Sequence, residues 1–173
     1  MRIYVEGVTI GLASLLLTGA APLTDLAAQS APAPVAAPRQ TEVASGKEVR
    51  ALVATMLAEM KPGQGFLWRP LVRDGSRVAA VEIWKKPGQP AVHPGEAEYA
   101  VVLEGAGTLV SGGTLVAPVT RREGLVEGTQ IDGGTTRTLG PGDVLLIPAG
   151  EPHWFGITGD RLVLLGTKLP AKP

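Results

Sequence analysis

Gly142-Asp143-Val144-Leu145-Leu146-Ile147-Pro148-Ala149-Gly150-Glu151-Pro152-His153 is the stretch on which the fold reading turns. Four apolar residues stand between a Gly-Asp start and a Pro-Ala-Gly turn. That pattern ends one strand, reverses the chain and opens the next. His153 is thereby placed at the beginning of a strand and aimed in a fixed direction. Upstream, His93-Pro94-Gly95-Glu96-Ala97-Glu98-Tyr99-Ala100-Val101-Val102-Leu103-Glu104-Gly105 holds the only other histidine of the 173-residue chain. It lies just after Gln89-Pro90, where the chain enters a strand, and Glu98 follows a Pro-Gly corner. Imidazole is the commonest metal ligand and titrates near neutral pH. Two histidines, each inside a patterned segment, point to one shared site.

Around these segments the sequence reads as short strands and glycine turns. Residues 68–73 and 77–84 flank Asp74-Gly75-Ser76, a hairpin signal, with Val81 and Ile83 alternating against Glu82 and Trp84. Residues 99–103 and 108–110 flank Glu104-Gly105-Ala106-Gly107, read as a turn. Gly112-Gly113 leads into residues 115–119, residues 121–128 form a polar excursion, and Gly133-Gly134 joins two further strands. Residues 144–147, 154–158 and 162–167 complete roughly ten strands. Gly at 23, Pro at 15 and only 4% aromatics fit strands joined by tight turns, and no alternating helices suggest a parallel sheet. The expectation is all-β, a closed sandwich or barrel. One helix precedes it: Ser45-Gly46-Lys47-Glu48 fits a capping box. Val49, Leu52, Val53, Met56, Leu57 and Met60 then repeat at helical spacing, predicting a helix over 46–60 that Pro62-Gly63 ends.

The two quoted segments resemble the two motifs of the cupin superfamily, small β-barrels of jelly-roll type. The first family motif has His-x-His, three or four residues, Glu, six residues, Gly. Here His93 is followed by four residues, Glu98, six residues and Gly105. The second has Gly, five residues, Pro, one residue, Gly, two residues, His, three residues, Asn. Gly142, Pro148, Gly150 and His153 match every fixed position before the last. The resemblance extends over about residues 66–168 and implies a cupin-type jelly-roll β-barrel with an N-terminal helix. It implies a divalent transition metal (Fe, Mn, Ni or Zn) on His93, Glu98 and His153, a set of two imidazoles and a carboxylate with open positions. Ala91 stands where the first histidine of the family's motif belongs, and Ile157 where its asparagine belongs. The usual ligand set is reduced by one histidine, so the alternative is a pocket without metal.

Several side chains near the motifs keep two readings. Glu96 is a rim charge or a stand-in for Glu98, and a substrate contact in either case. Trp84 and Phe155 fill the core or wall a substrate pocket. Trp154 and Phe155 alternate faces, so one of the pair points inward. Tyr99 is read as core. Arg121-Arg122-Glu123 is a solvated hairpin tip, with a lid arginine as the alternative. No catalytic acid or base is assigned, although Glu96 and Tyr99 are near enough in sequence to serve.

The bulk composition narrows the function classes. Formal net charge is +0, which argues against a nucleic-acid protein or a polybasic membrane binder. With no cysteine there is no disulfide framework, thiolate site or lipid anchor on cysteine. Residues 1–30 read as a signal peptide, with Arg2 before the apolar run 8–17, too short to span a bilayer comfortably. Residues 31–44 are an Ala/Pro-rich linker, and residues 45–173 the folded domain. A periplasmic or secreted protein follows, with no stable membrane span after cleavage. The expected function is a metal-dependent enzyme of oxygenase, isomerase or lyase type on a small organic molecule. The alternatives are a non-catalytic small-molecule or metal-binding cupin, and a structural homodimer; a homodimer is expected in every case.

Overall fold

The computed structural model describes residues 40–171. The expected signal peptide and residues 31–39 of the linker lie outside them. Among the described residues no helix is long and apolar enough to cross a membrane.

The domain opens with α1 (Gly46–Glu59). Its capping box is formed as the sequence requires. The Glu48 N–H donates to Ser45 Oγ at 3.3 Å, and the Ser45 N–H donates to Glu48 Oε2 at 2.7 Å. Met60 is the C-cap, so the helix ends one residue before the expected boundary. Ser45→Ala removes the side-chain acceptor and is expected to lower stability by about 1 kcal/mol in a denaturant titration.

All else is strand: β1 (Phe66–Asp74), β2 (Arg77–Trp84), β3 (Ala91–Val92), β4 (Glu96–Ser111), β5 (Thr114–Val116), β6 (Val119–Arg122), β7 (Leu125–Glu127), β8 (Gln130–Asp132), β9 (Thr135–Leu139), β10 (Val144–Ile147) and β11 (His153–Pro170). The strands pair antiparallel throughout, and β5–β8 form a separate two-stranded ribbon. In the main sheet β2 carries β1 on one side and β11 on the other, β11 continues onto β4, and β4 also takes β9 and β10. The polar excursion is the hairpin β6–β7, docked on β3 through Ala91↔Glu127 and Val92↔Val126.

The structure corrects the sequence reading at the centre of this sheet. Glu104–Gly107 is not a hairpin turn; β4 runs through it for 16 residues, and β11 runs unbroken for 18. The glycines serve a different need. The register of β4 on β11 jumps between Ile157 and Leu162, opposite Gly105 to Gly107. Gly105 has φ +82°, and a Cβ there would lie 2.0 Å from the Arg161 carbonyl oxygen. Only glycine lets the two long strands pass this point together.

The sheet is packed on both faces. On one, Ala100, Val102, Leu109, Leu139, Leu145, Ile147, Phe155, Leu162 and Leu164 form the larger core. On the other, Val53 and Met56 of α1 close over Val81, Ile83 and Val163. Strand alternation in β2 therefore sends Val81 and Ile83 under the helix, and Glu82 and Trp84 to the opposite side. The same alternation in β4 buries Glu98, Ala100 and Val102 and turns Tyr99 outward at 39% exposure. Tyr99 is thus not core, and it does not face the site.

Candidate metal centre

The site forms where the two motif segments meet. His93 sits in the corner between β3 and β4. Its carbonyl accepts the Gly150 N–H at 2.9 Å, so the turn that aims His153 also fixes His93. Glu98 is the third residue of β4, and His153 the first of β11, paired with Ala91 of β3. The three side chains converge. The His93 Nε2–Glu98 Oε2 distance is 3.7 Å, the His153 Nε2–Glu98 Oε2 distance is 3.4 Å, and one ligand atom from each residue lies within 4.8 Å of the others. The imidazoles are stacked, centroids 5.4 Å apart. The residues that match the two cupin motifs thus come together on adjoining segments of one curled antiparallel sheet.

The curled antiparallel sheet and the meeting of the motif residues agree with what the resemblance to the cupins implies. The sheet places these three side chains so that one donor atom of each faces the others. His93 Nδ1 lies 3.1 Å from the Gly124 carbonyl, and His153 Nδ1 lies 3.1 Å from the Glu151 carbonyl. A carbonyl only accepts, so each contact assigns a proton to Nδ1; Nε2 is then a free lone pair in the neutral ring and a donor to Glu98 in the protonated one. With both rings neutral, two imidazole lone pairs and a carboxylate face one another, an arrangement that a cation among them would satisfy. This donor set, with each imidazole held by a backbone carbonyl behind it, fits a divalent transition metal.

Lys168 is the cation that this chain itself supplies. It lies directly opposite Glu98 in the β4–β11 register, and its Nζ donates to Glu98 Oε2. Burial alone raises the Glu98 pKa, but the His153 contact and the Lys168 charge outweigh it and hold the carboxyl down to about 2. Burial foremost, then the Lys168 charge, keep the His93 pKa below its ordinary value, which favours the neutral ring that a metal needs. Glu82, one strand away, is pushed up to about 7 by burial and then by the Glu98 charge; its Oε2 accepts the Trp84 indole N–H at 3.1 Å.

These groups open into a cavity of about 640 Å³ whose walls include Trp84, Phe155, Glu96 and Ala91. Phe155 belongs to the larger core and Trp84 packs against it, and both also line the cavity. Ala91, at the position of the missing histidine, lies on the cavity wall, so the ligand set is short by one at that point. Arg122, at the tip of the β6–β7 hairpin, also reaches the wall. Lys168, Glu82, Phe66 and Trp68 are site residues that the sequence reading missed. For Glu82 a signal existed, a carboxylate between Val81 and Ile83 in a buried strand. For Lys168 none did, because its facing position depends on register with a residue 70 positions away.

No family model matches the chain, and no curated protein matches it. Solved structures with a similar trace include TT1209 from Thermus thermophilus (17% identity, 62% of this chain and 86% of that one, TM-score 0.46). KdgF from Halomonas sp. is similar too (17%, 65% and 87%, 0.44). So is the polyketide cyclase RemF from Streptomyces resistomycificus (24%, 63% and 67%, 0.44). The likeness to the cupins rests on the motif residues and their convergence, not on these superpositions.

Proposed function

We propose that this protein is an exported, metal-dependent cupin enzyme of oxygenase, isomerase or lyase type, acting on a small organic molecule. The observation that carries the reading is the pair of Nδ1–carbonyl contacts, which turn both Nε2 atoms toward Glu98 on the wall of a cavity large enough for a substrate. His93, Glu98 and His153 would hold the metal. When bound, such an ion supplies Lewis acidity and a point of activation for water or dioxygen. The chain's own groups do the rest. The backbone carbonyls orient the imidazoles, and Trp84 and Phe155 keep water from one side. Glu82 holds a proton near neutrality within the same cavity, which suits a general acid or base. Glu96 stands on the wall as a substrate contact. Export follows from residues 1–30. The homodimer belongs to the same proposal, supported by β10, which pairs only with β4 among the described residues and exposes Val144 and Leu146.

A second reading has its own observation. With the Lys168 ammonium on Glu98, the site already has a cation and serves as a non-catalytic binding pocket. Anaerobic loading with Fe, Mn, Ni or Zn and a panel of phenols, diketones and organic acids separates the two. The enzyme reading expects one ion per chain and turnover that chelation abolishes. Ligand binding with no turnover by any loaded form would overturn it in favour of the binding pocket.

Lys168 is also the natural competitor for the metal. Lys168→Met leaves Glu98 without its ammonium and is expected to tighten metal binding by about tenfold, since the ion no longer displaces a resident cation. Competition against a chromophoric chelator reads this directly.

A further inference from the structure

The sequence has three tryptophans and two phenylalanines, and all five line the cavity that holds both histidines. Packing does not require them there. The two cores are built from Ala, Val, Leu, Ile and Met, with Phe155 the one ring among their buried members. Two of the five are exposed large apolar side chains, Phe66 at 40% and Trp68 at 46%. Large apolar side chains left open around one cavity mark a binding surface rather than a core.

The rings form a continuous series. Phe66 and Trp84 have centroids 4.2 Å apart, Trp84 and Phe155 6.1 Å, and Phe155 and His153 6.1 Å. The wall therefore runs from exposed Phe66 to the metal-facing imidazole. Two of its indole N–H groups are already engaged: the Trp84 N–H donates to Glu82, and the Trp154 N–H to the Gly88 carbonyl at 2.9 Å. A Cβ on Gly88 would lie 2.7 Å from the Trp84 ring, so this glycine lets the indole approach the backbone closely. Three of the four carboxylates on the wall are already engaged within the chain. Glu82 takes the Trp84 N–H, Glu98 takes Lys168, and Glu127 pairs with Arg121 at 2.8 Å. A sugar needs free donors and acceptors around its hydroxyls, and Gln89, Glu96 and Arg122 are the charged or amide side chains left for it. A flat ring needs apolar faces, and those are abundant.

We propose that the cavity takes a planar aromatic molecule with two adjacent oxygen donors. Its ring lies along the Phe66–Trp84–Phe155 wall and its oxygens point to His93, Glu98 and His153. The oxygen half of this inference rests on the metal reading above; the ring half rests on the aromatic wall alone.

The test uses zinc-loaded and metal-free full-length protein, titrated calorimetrically with 2,3-dihydroxynaphthalene, glycolate and galacturonate. Glycolate offers oxygen donors without a ring, and galacturonate offers a sugar. On zinc-loaded protein the dihydroxynaphthalene is expected to bind at least about tenfold more tightly than either. Trp68→Ala is expected to weaken it about tenfold more than it weakens glycolate. Phe66→Ala, at a second exposed position, gives the same reading if the first variant is poorly folded. Trp68-dependent binding of the arene to protein that takes up no zinc would remove the metal reading and leave the ring site standing. Equal or tighter binding of galacturonate or glycolate, or arene affinity unmoved by both variants, would overturn the proposal.

Discussion

His153→Ala is expected to weaken divalent-metal binding by at least about a hundredfold, more than is typical for losing a group behind a ligand. The reason lies in how few donors the site has. With Ala91 in place of a third histidine, the chain offers two imidazoles and one carboxylate, and removal of either imidazole leaves two donors. No other histidine exists in the sequence to replace it. His153 is 5% exposed and opens β11, so its removal also leaves a hole beside Phe155. A near-ultraviolet circular dichroism spectrum like that of the parent would show that the domain remains folded. The affinity is read by chelator competition. His93→Ala is expected to behave in the same way, although its ring is less deeply set. A His153→Ala protein that binds metal as tightly as the parent would place the ion elsewhere.

Gly105→Ala is expected to cost about 4 kcal/mol or more, a large share of a small domain's stability. Left-handed backbone alone costs an L-residue roughly 1–2 kcal/mol. The larger part is the clash, because the new Cβ would meet the Arg161 carbonyl at 2.0 Å. Neither strand moves aside easily, since β4 and β11 are each paired for most of their length. Gly75→Ala is the control. Its φ is +62° with nothing within 4 Å, so only the backbone term of about 1–2 kcal/mol remains. Denaturant titration of both variants checks the difference. Similar losses would mean that Gly105 is required for its dihedral alone and not for strand passage.

Gly105 also shows what kind of information the motifs carry. At the sequence level its spacing from Glu98 helps identify a ligand, yet the residue itself serves the sheet and touches no site group. Gly150 joins the two functions, since its N–H holds the His93 carbonyl. The all-β architecture and the capped first helix were legible because each depends on local spacing, and the meeting of His93, Glu98 and His153 was legible through the resemblance to the two cupin motifs. The continuity of β4 and β11 was not. Glycines within a strand give the same signal as glycines in a turn, and only the partner strand decides between them. Tyr99 was misread as core for a related reason. Its neighbours Glu98 and Ala100 face inward, so alternation turns Tyr99 out, and that parity is fixed only once Glu98 is known to face the site. Lys168 depends on register alone. The same holds for Phe66 and Trp68, whose strand is joined to the rest of the sheet only through β2.

The most direct test of the metal centre is zinc K-edge X-ray absorption of the zinc-loaded protein. The expected spectrum has nitrogen and oxygen neighbours at about 2.0–2.1 Å, with outer-shell scattering from two imidazoles in the parent and from one in His153→Ala. Failure to retain zinc, or a parent spectrum with fewer than two imidazoles, would contradict a metal held by His93, Glu98 and His153.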